Sequence, residues 1–172
     1  LRSAVLQIRG NKVLLGADEA SVKTGVILRL FHILGWNPFD VSEVTPEYAV
    51  GGRRVDFALR VSSTNKAFVE VKRPSEDLGE HQEQLLDYAF KEGVKLAVLT
   101  NGFTWWLYLA LSEGSWEQRR FYGLELLEQD PDDVAKRFED FLSKERVVSG
   151  EAVKSAEQIH RSKQTKTILH DS

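Results

Sequence analysis

GRRVDFALRVSSTNKAFVEVKRP, residues 52–74, contains two runs of alternating side chains separated by a polar turn. In the first run the alternation places Val55, Phe57 and Leu59 on one face and Asp56 on the other. The second run, residues 67–72, alternates Ala, Val and Val with Phe, Glu and Lys. A period of two is typical of β-strands, and the polar residues 62–65 supply the connection. The stretch therefore predicts an antiparallel β-hairpin.

The sequence on either side of this hairpin predicts the rest of a sheet and its covering helices. Gly51-Gly52 is a two-residue turn signal that joins the hairpin to a preceding extended segment. The flanking elements are helices at 18–34 and 80–92 and strands at 41–50, 95–100 and 103–111. One helix separates strands 67–72 and 95–100, so they form a right-handed βαβ unit and should be parallel. We therefore predict an α/β fold with a mixed β-sheet flanked by helices.

The length and composition indicate an ordinary globular chain. It has 172 residues, of which 42% are hydrophobic and 28% charged. This length matches about one average domain. We expect a sheet domain over residues 1–128 and a C-terminal helical extension over 129–172, with an acidic amphipathic helix at 132–144.

Several classes of protein are excluded by residue usage. The chain has no Cys, which excludes disulfide scaffolds, thiolate metal sites and cysteine nucleophiles. Its four His residues are scattered without metal-ligand spacing. The longest apolar run, 105–111, is well short of the about 18 residues that span a bilayer. We expect a cytoplasmic protein that has no membrane partner.

The charge of the chain is unevenly distributed. The net charge is −3, which argues against a protein that coats nucleic acid by bulk electrostatics. Residues 53–73, however, contain six basic and two acidic side chains, whereas residues 128–145 contain seven acidic and three basic ones. We therefore expect a polyanion to approach the first segment and to avoid the second.

Asp56 and Glu70 are the candidate chemical groups of the hairpin. They lie on neighbouring strands, and Lys72 follows Glu70 by two residues on the same face. Two ionised carboxylates about 4 Å apart repel by about 4 kcal/mol at an effective dielectric of 20, so the pair must hold a proton, a counter-cation or a metal. Oxygen-only ligation suits Mg²⁺ or Mn²⁺. The alternative is a solvated strand face with an ion pair worth at most about 1 kcal/mol.

Glu19 is a further candidate on the first predicted helix. Asp18 is a plausible N-cap for this helix, and Gly35 is placed to end it. On a helical wheel Glu19 lies in line with the apolar stripe, so it either faces the sheet or simply complements the helix dipole. Lys23 lies one turn later and is a candidate partner for Glu19.

The order of these motifs resembles the N-terminal nuclease domain of the R subunits of type I restriction enzymes. The resemblance covers about residues 18–108 and is carried by Glu19, LGW (34–36), GRRVDFAL (52–59), FVEVKRP (68–74), Gln84 with Tyr88, and LTNG (99–102) with Trp105. That domain belongs to the PD-(D/E)XK nucleases, in the branch with a Q-x-x-x-Y helix motif. The resemblance implies a restriction-endonuclease-like core.

The resemblance also implies a function, which is Mg²⁺-dependent hydrolysis of DNA phosphodiester bonds, with Mn²⁺ as a possible substitute. It assigns catalysis to Asp56, Glu70, Lys72, Gln84 and Tyr88. The implied metal ligands are Asp56, Glu70 and, directly or through water, Glu19. The lysine would orient or activate water, and the Gln and Tyr of the motif helix would position that lysine or the DNA backbone. The basic residues expected to contact DNA are Arg53, Arg54 and Arg73.

The sequence departs from the family pattern at two points. Val55 stands in the place of the proline that gives the family its name. R subunits continue into an ATP-driven translocase, and this sequence has no G-x-x-x-x-G-K-[ST] phosphate loop. The implied partners are therefore DNA, restriction-modification subunits or a translocase outside this sequence, and a second copy of the chain. The alternative function is a catalytically weak, nuclease-like module that binds nucleic acid or another protein.

Overall fold

The computed structural model describes the backbone of residues 1–171 and the side chains of residues 1–166. The α-helices are α1 (Arg2–Gly10), α2 (Glu19–Val22), α3 (Leu28–Ile33), α4 (Gln82–Glu92), α5 (Trp116–Arg119), α6 (Pro131–Leu142), α7 (Lys144–Ser149) and α8 (Glu151–Asp171). Short 3₁₀ turns lie at Lys12–Gly16 and Leu78–His81, and a π-helical turn, Lys23–Ile27, joins α2 to α3. None of the helices in this described part of the chain is long and apolar enough to cross a membrane.

The strands form one six-stranded sheet in the order β1-β2-β3-β4-β5-β6. They are β1 (Val44–Val50), β2 (Arg53–Val61), β3 (Thr64–Val71), β4 (Leu96–Thr100), β5 (Thr104–Leu109) and β6 (Arg120–Glu125). Strands β3 and β4 are parallel, and every other neighbouring pair is antiparallel. The predicted mixed α/β sheet and the parallel β3–α4–β4 unit are thus confirmed, whereas α1, α5 and the edge strand β6 were not predicted.

The sheet separates two hydrophobic clusters, one on each face. Helices α1, α3 and α6 contribute to the larger cluster, which takes Phe57, Leu59 and Val69 from the sheet. Helix α4 packs in the smaller cluster with Val55 and Ala58. The predicted placement of Val55 beside Phe57 and Leu59 is therefore wrong, because the alternation along β2 breaks between residues 55 and 57, at Asp56.

The C-terminal helices pack against the larger cluster. Phe138 of α6 lies edge-on to Trp105 of β5, with ring centroids 4.9 Å apart. Trp36 donates a hydrogen bond from Nε1 to the carbonyl oxygen of Leu142 at 2.8 Å. The helix predicted at 132–144 is confirmed as α6, and it shares its core with the sheet. The boundary proposed at residues 128 and 129 stays a prediction.

Candidate active site

The candidate site begins where strands β2 and β3 separate. Their ladder runs from Val61 opposite Thr64 to Phe57 opposite Val69 and ends there. Beyond that point β3 continues beside β4, and the backbone N–H of Val71 donates to Oδ2 of Asp56 at 2.7 Å. The Asp56 carboxylate therefore accepts the β3 hydrogen bond that the backbone of β2 would otherwise accept. The point at which β2 and β3 separate thus sets the position of this carboxylate.

The carboxyl groups of Asp56 and Glu70 are hydrogen-bonded to each other. Burial raises the pKa of Glu70 to about 9, and the hydrogen bond and the charge of Asp56 act in the same direction. Burial would raise the pKa of Asp56 as well, but hydrogen bonds from Glu70, Lys23 and the Val71 N–H outweigh it and hold that pKa below its usual value. At neutral pH the pair therefore carries one negative charge, with the proton on Glu70. The predicted convergence of these two carboxyl groups is what the geometry shows.

Lys23 is the cation that neutralises this pair. Its Nζ lies 2.6 Å from Oδ1 of Asp56 and 3.5 Å from Oε1 of Glu47. Burial lowers the pKa of Lys23, but the hydrogen bond and charge of Asp56, with the charges of Glu47 and Glu19, raise it above its usual value. Lys23, which the sequence offers as a candidate partner for Glu19, forms its ion pair with Asp56 instead. Lys23 begins the π-helical turn, a feature often found at functional sites.

Lys72 and Glu19 form a second ion pair beside the first. Nζ of Lys72 lies 3.9 Å from Oε1 of Glu19, and the lysine side chain is 19% exposed. The backbone of Lys72 is fixed as well, because its N–H donates to the carbonyl oxygen of Thr100 at 2.8 Å. Lys72 also acts on Glu70, where its charge lowers the pKa against the larger effect of burial. The structure thus brings Lys72 to the carboxyl pair and Glu19 to Lys72.

The turn between β4 and β5 allows α2 to approach the site closely. Asn101 accepts hydrogen bonds at its Oδ1 from the backbone N–H groups of Phe103 and Thr104. Gly102 has a φ of +92°, and a Cβ built on it would lie 3.0 Å from Cγ1 of Val22. A larger residue at 102 would push α2, and with it Glu19, away from the sheet.

Gln84 and Tyr88 line a cavity that the carboxyl pair does not line. Nε2 of Gln84 donates to Oη of Tyr88 at 2.5 Å across one turn of α4. Both line a cavity of about 420 Å³ with Arg53, and neither Asp56 nor Lys72 lines it. The described contacts therefore give no support to the idea that this motif positions the lysine. A contact with the DNA backbone through this cavity stays a prediction.

The three basic residues expected to contact DNA are all exposed. Arg53 and Arg54 begin β2 beside the tight turn, and Arg53 lines the Gln84 cavity. Arg73 follows Lys72 directly, and its Nε lies 3.1 Å from Oε1 of Glu76. These side chains are accessible to a polyanion.

Two side chains at the site, Asp56 and Glu70, are placed to act together as ligands of a divalent cation. Among the described side chains, those of residues 1–166, no group of three or more His, Asp or Glu is gathered so that it could hold a metal ion. Magnesium in proteins is commonly held by one or two carboxylates, with waters in its remaining positions. Asp56 and Glu70 meet this requirement because they are oxygen donors in contact, and their buried charge is now balanced by a proton and Lys23. Glu19 as a third ligand stays a prediction.

The contacts of two residues near the site, Lys23 and Glu47, were not predicted from the sequence. Lys23 was considered only as a partner of Glu19, and Glu47 was not considered. Glu47 lies in β1 with a φ of +52°, an unusual conformation for a residue other than glycine. No sequence signal marks that conformation, whereas the spacing of Lys23 on the wheel places it near Glu19 and hence near the sheet.

Comparison with known proteins relates the chain to restriction enzymes. No family model matches it. It is 31% identical over 100 residues to the Type II restriction enzyme and methyltransferase RM.Eco57I of Escherichia coli, a match that covers 49% of this chain and 10% of the relative. The chain therefore spans about a tenth of the length of this curated relative. The similarity supports the general part of the resemblance seen in the sequence, namely that this is a restriction-enzyme-related domain.

A solved structure is similar in part. It is a fragment described as an HsdR subunit of a type I restriction enzyme from Vibrio vulnificus YJ016. The two chains are 22% identical, with a TM-score of 0.47, and the match covers 71% of this chain and 25% of that one.

Proposed function

We propose that this chain is a Mg²⁺-dependent DNA endonuclease domain with a PD-(D/E)XK core. The observation that carries the proposal is the buried contact of Asp56 with Glu70, with Lys72 two residues further along β3. A buried pair of carboxyl groups that keeps a proton on Glu70 although Lys23 is paired with Asp56 is a site suited to a cation. The similarity to part of a restriction enzyme supports DNA as the substrate.

Each side chain has a distinct role in this proposal. Asp56 and Glu70 hold the ion, which when bound supplies Lewis acidity at the scissile phosphate. Lys72 neutralises phosphate charge and orients the attacking water, and Glu19 holds the Lys72 ammonium on that side of the site. The exposed Arg53 guanidinium contacts the DNA backbone beside Gln84.

The direct test is cleavage of supercoiled and linear DNA in Mg²⁺, in Mn²⁺ and in EDTA. We expect nicking with either metal, none with the chelator, and none with Asp56→Asn, because the variant loses the charge that holds the ion. Glu128→Gln is the matched control, since it removes one exposed carboxylate that follows β6, the last strand of the sheet. Cleavage that survives EDTA or Asp56→Asn would contradict the proposal. DNA binding without cleavage in any metal would indicate the binding module instead.

Replacing Lys23 by Gln is expected to tighten binding of Mn²⁺ several-fold. The ammonium at 2.6 Å from Asp56 competes with the ion and repels it, whereas the neutral amide does neither. The measurement is a titration followed by the electron paramagnetic resonance signal of free Mn²⁺. Lys91→Gln, an exposed lysine of α4, is the control. Weaker binding by the Lys23 variant would show that the lysine supports the ion rather than competing with it.

A further inference from the structure

A second concave surface lies at the other end of the sheet, away from the carboxyl pair. It is a groove of about 640 Å³, here called the β6 groove, lined by residues of β5, β6, α6 and α8. The side chains that matter below are Trp106, Arg120, Tyr122, Arg137, Lys163 and Lys166. Strand β6 is the last strand of the sheet, so the groove runs along a sheet edge.

The β6 groove concentrates positive charge in a chain whose net charge is −3. Among the described residues that line it, four side chains are cationic and one, Glu125, is a carboxylate. Oε2 of Glu125 already accepts a hydrogen bond from Oγ1 of Thr104 at 2.7 Å. The excess of cations makes the groove a site for an anion.

Two of these cations are held in place by aromatic rings. The guanidinium of Arg120 lies over the ring of Trp106 at 4.3 Å, and that of Arg137 lies over the ring of Tyr122 at 5.1 Å. Stacking fixes the plane of a guanidinium without using its N–H donors. Arg120 also hydrogen-bonds the Tyr108 hydroxyl, and its remaining N–H donors stay able to bind a phosphate. Arg137 also lies 3.6 Å from Oδ2 of Asp140, a contact on the edge of α6.

Helix α8 closes the groove against the edge strand. His160 contacts the carbonyl oxygen of Gln118 through Nε2 at 2.8 Å, and Lys163 donates to the carbonyl oxygen of Arg120 at 3.2 Å. The Lys163 contact covers a carbonyl group of the edge strand β6, and the His160 contact attaches α8 to the end of α5. The wall of the groove is thus attached to the sheet.

The shape of the surface indicates an elongated ligand. The β6 groove shares Gln158, Ser162 and Lys166 with a neighbouring cavity of about 610 Å³, which continues along α8 to Arg161 and Thr165. Cations and hydroxyl groups therefore follow one another along the helix. This arrangement suits a chain of phosphates better than a single small anion.

We propose that the β6 groove binds the phosphate backbone of DNA as a second contact, in addition to the candidate active site. Three strand spacings separate β3 from β6, which corresponds to about 14 Å. One DNA molecule can span that distance. The inference rests on the proposed function for its ligand, but it concerns binding and needs no metal or cleavage.

The test compares two double variants with the same change in charge. Arg137→Gln with Lys166→Gln removes two groove cations, and Lys136→Gln with Lys154→Gln removes two exposed cations of the same helices outside the groove. Binding of a fluorescein-labelled duplex oligonucleotide is followed by anisotropy in EDTA at several salt concentrations. We expect the groove variant to bind about tenfold more weakly and to lower the slope of log K against log salt by about 2. The control variant should stay within about twofold of the parent chain.

Equal effects of the two double variants, or no effect of either, would overturn the proposal. Displacement of the duplex by inorganic phosphate or ATP at lower phosphate concentration than by unlabelled duplex would also overturn it in favour of a small anion. Lys166→Glu also tests whether the groove binds the duplex, at an exposed position where the substitution does not endanger folding. We expect this variant to bind the duplex more weakly, and unchanged binding would contradict the proposal. If the parent chain does not cleave DNA in Mg²⁺ but the groove variant still binds DNA more weakly than the control variant, only the proposed nuclease function is contradicted. The two failures are therefore distinguishable.

Discussion

Glu70→Gln is expected to reduce DNA cleavage at least a thousandfold and to raise the melting temperature at pH 8 by about 5–10 °C. The two effects have one cause. The amide has the shape of a protonated carboxyl group, so it keeps the contact with Asp56 but cannot supply the second charge that a divalent ion needs. A residue that is needed to bind an ion often lowers the stability of the folded chain, so replacing it raises stability and lowers activity.

The expected gain in stability follows from the pKa of Glu70. This pKa is raised by burial to about 9, so between about pH 4.5 and 9 the folded chain holds a proton that the unfolded chain has released. The free energy of unfolding therefore falls as pH rises through this window, by up to about 1.4 kcal/mol per pH unit. Gln does not titrate and avoids this loss. A few kcal/mol at pH 8 corresponds to the stated shift, at about 2–4 °C per kcal/mol.

Calorimetry between pH 5 and pH 9 measures this prediction. The difference in melting temperature between Glu70→Gln and the parent chain should grow with pH and nearly vanish at pH 5. Glu128→Gln should show no such growth, because that carboxylate is exposed. Added Mg²⁺ should stabilise the parent chain more at pH 8 than at pH 6, since the ion displaces the proton, and should leave the Gln variant unchanged. A constant difference across pH would mean that Glu70 is ionised in the folded chain.

The sheet was predictable where its strands carry a local signal. The hairpin of β2 and β3 has alternating side chains and a polar turn, and the parallel pairing of β3 with β4 follows from the helix between them. Strand β6, Arg120–Glu125, contains Gly123 and directly follows α5. The alternation of apolar and polar residues in this segment is too short and irregular to distinguish a strand from a loop. Its place in the sheet is set by pairing with β5 and by the packing of α8.

The convergence of Asp56, Glu70 and Lys72 was predictable from the sequence, but the contacts that order these side chains were not. The spacing of Asp56, Glu70 and Lys72 predicted that they converge, and the structure brings them together. Two features that order them are tertiary. The end of the β2–β3 ladder turns Asp56 onto the Val71 N–H, and the π-helical turn directs Lys23 to Asp56. Neither feature has a local sequence signature.

The two lysines at the site are expected to differ sharply when each is replaced by Gln. Lys72→Gln should lower the cleavage rate at saturating Mg²⁺ by about 10²–10³-fold, the usual loss when a group that stabilises transition-state charge is removed. Lys23→Gln should lower it less than tenfold, because an ion that displaces the ammonium leaves Lys23 with no part in the reaction. The lysines are well matched, with side chains 19% and 21% exposed.

Metal affinity separates a role in chemistry from a role in holding the ion. Single-turnover cleavage rates and Mn²⁺ titrations are measured on both variants. For Lys72→Gln we expect the rate to fall while the dissociation constant for Mn²⁺ does not rise, since Lys72 contacts Glu19 and is not an ion ligand. Glu19→Gln should then lower the rate less than Lys72→Gln, because it only releases the ammonium from its partner. Equal losses of rate in the Lys23 and Lys72 variants would show that general positive charge is required, and would remove Lys72 from the reacting groups.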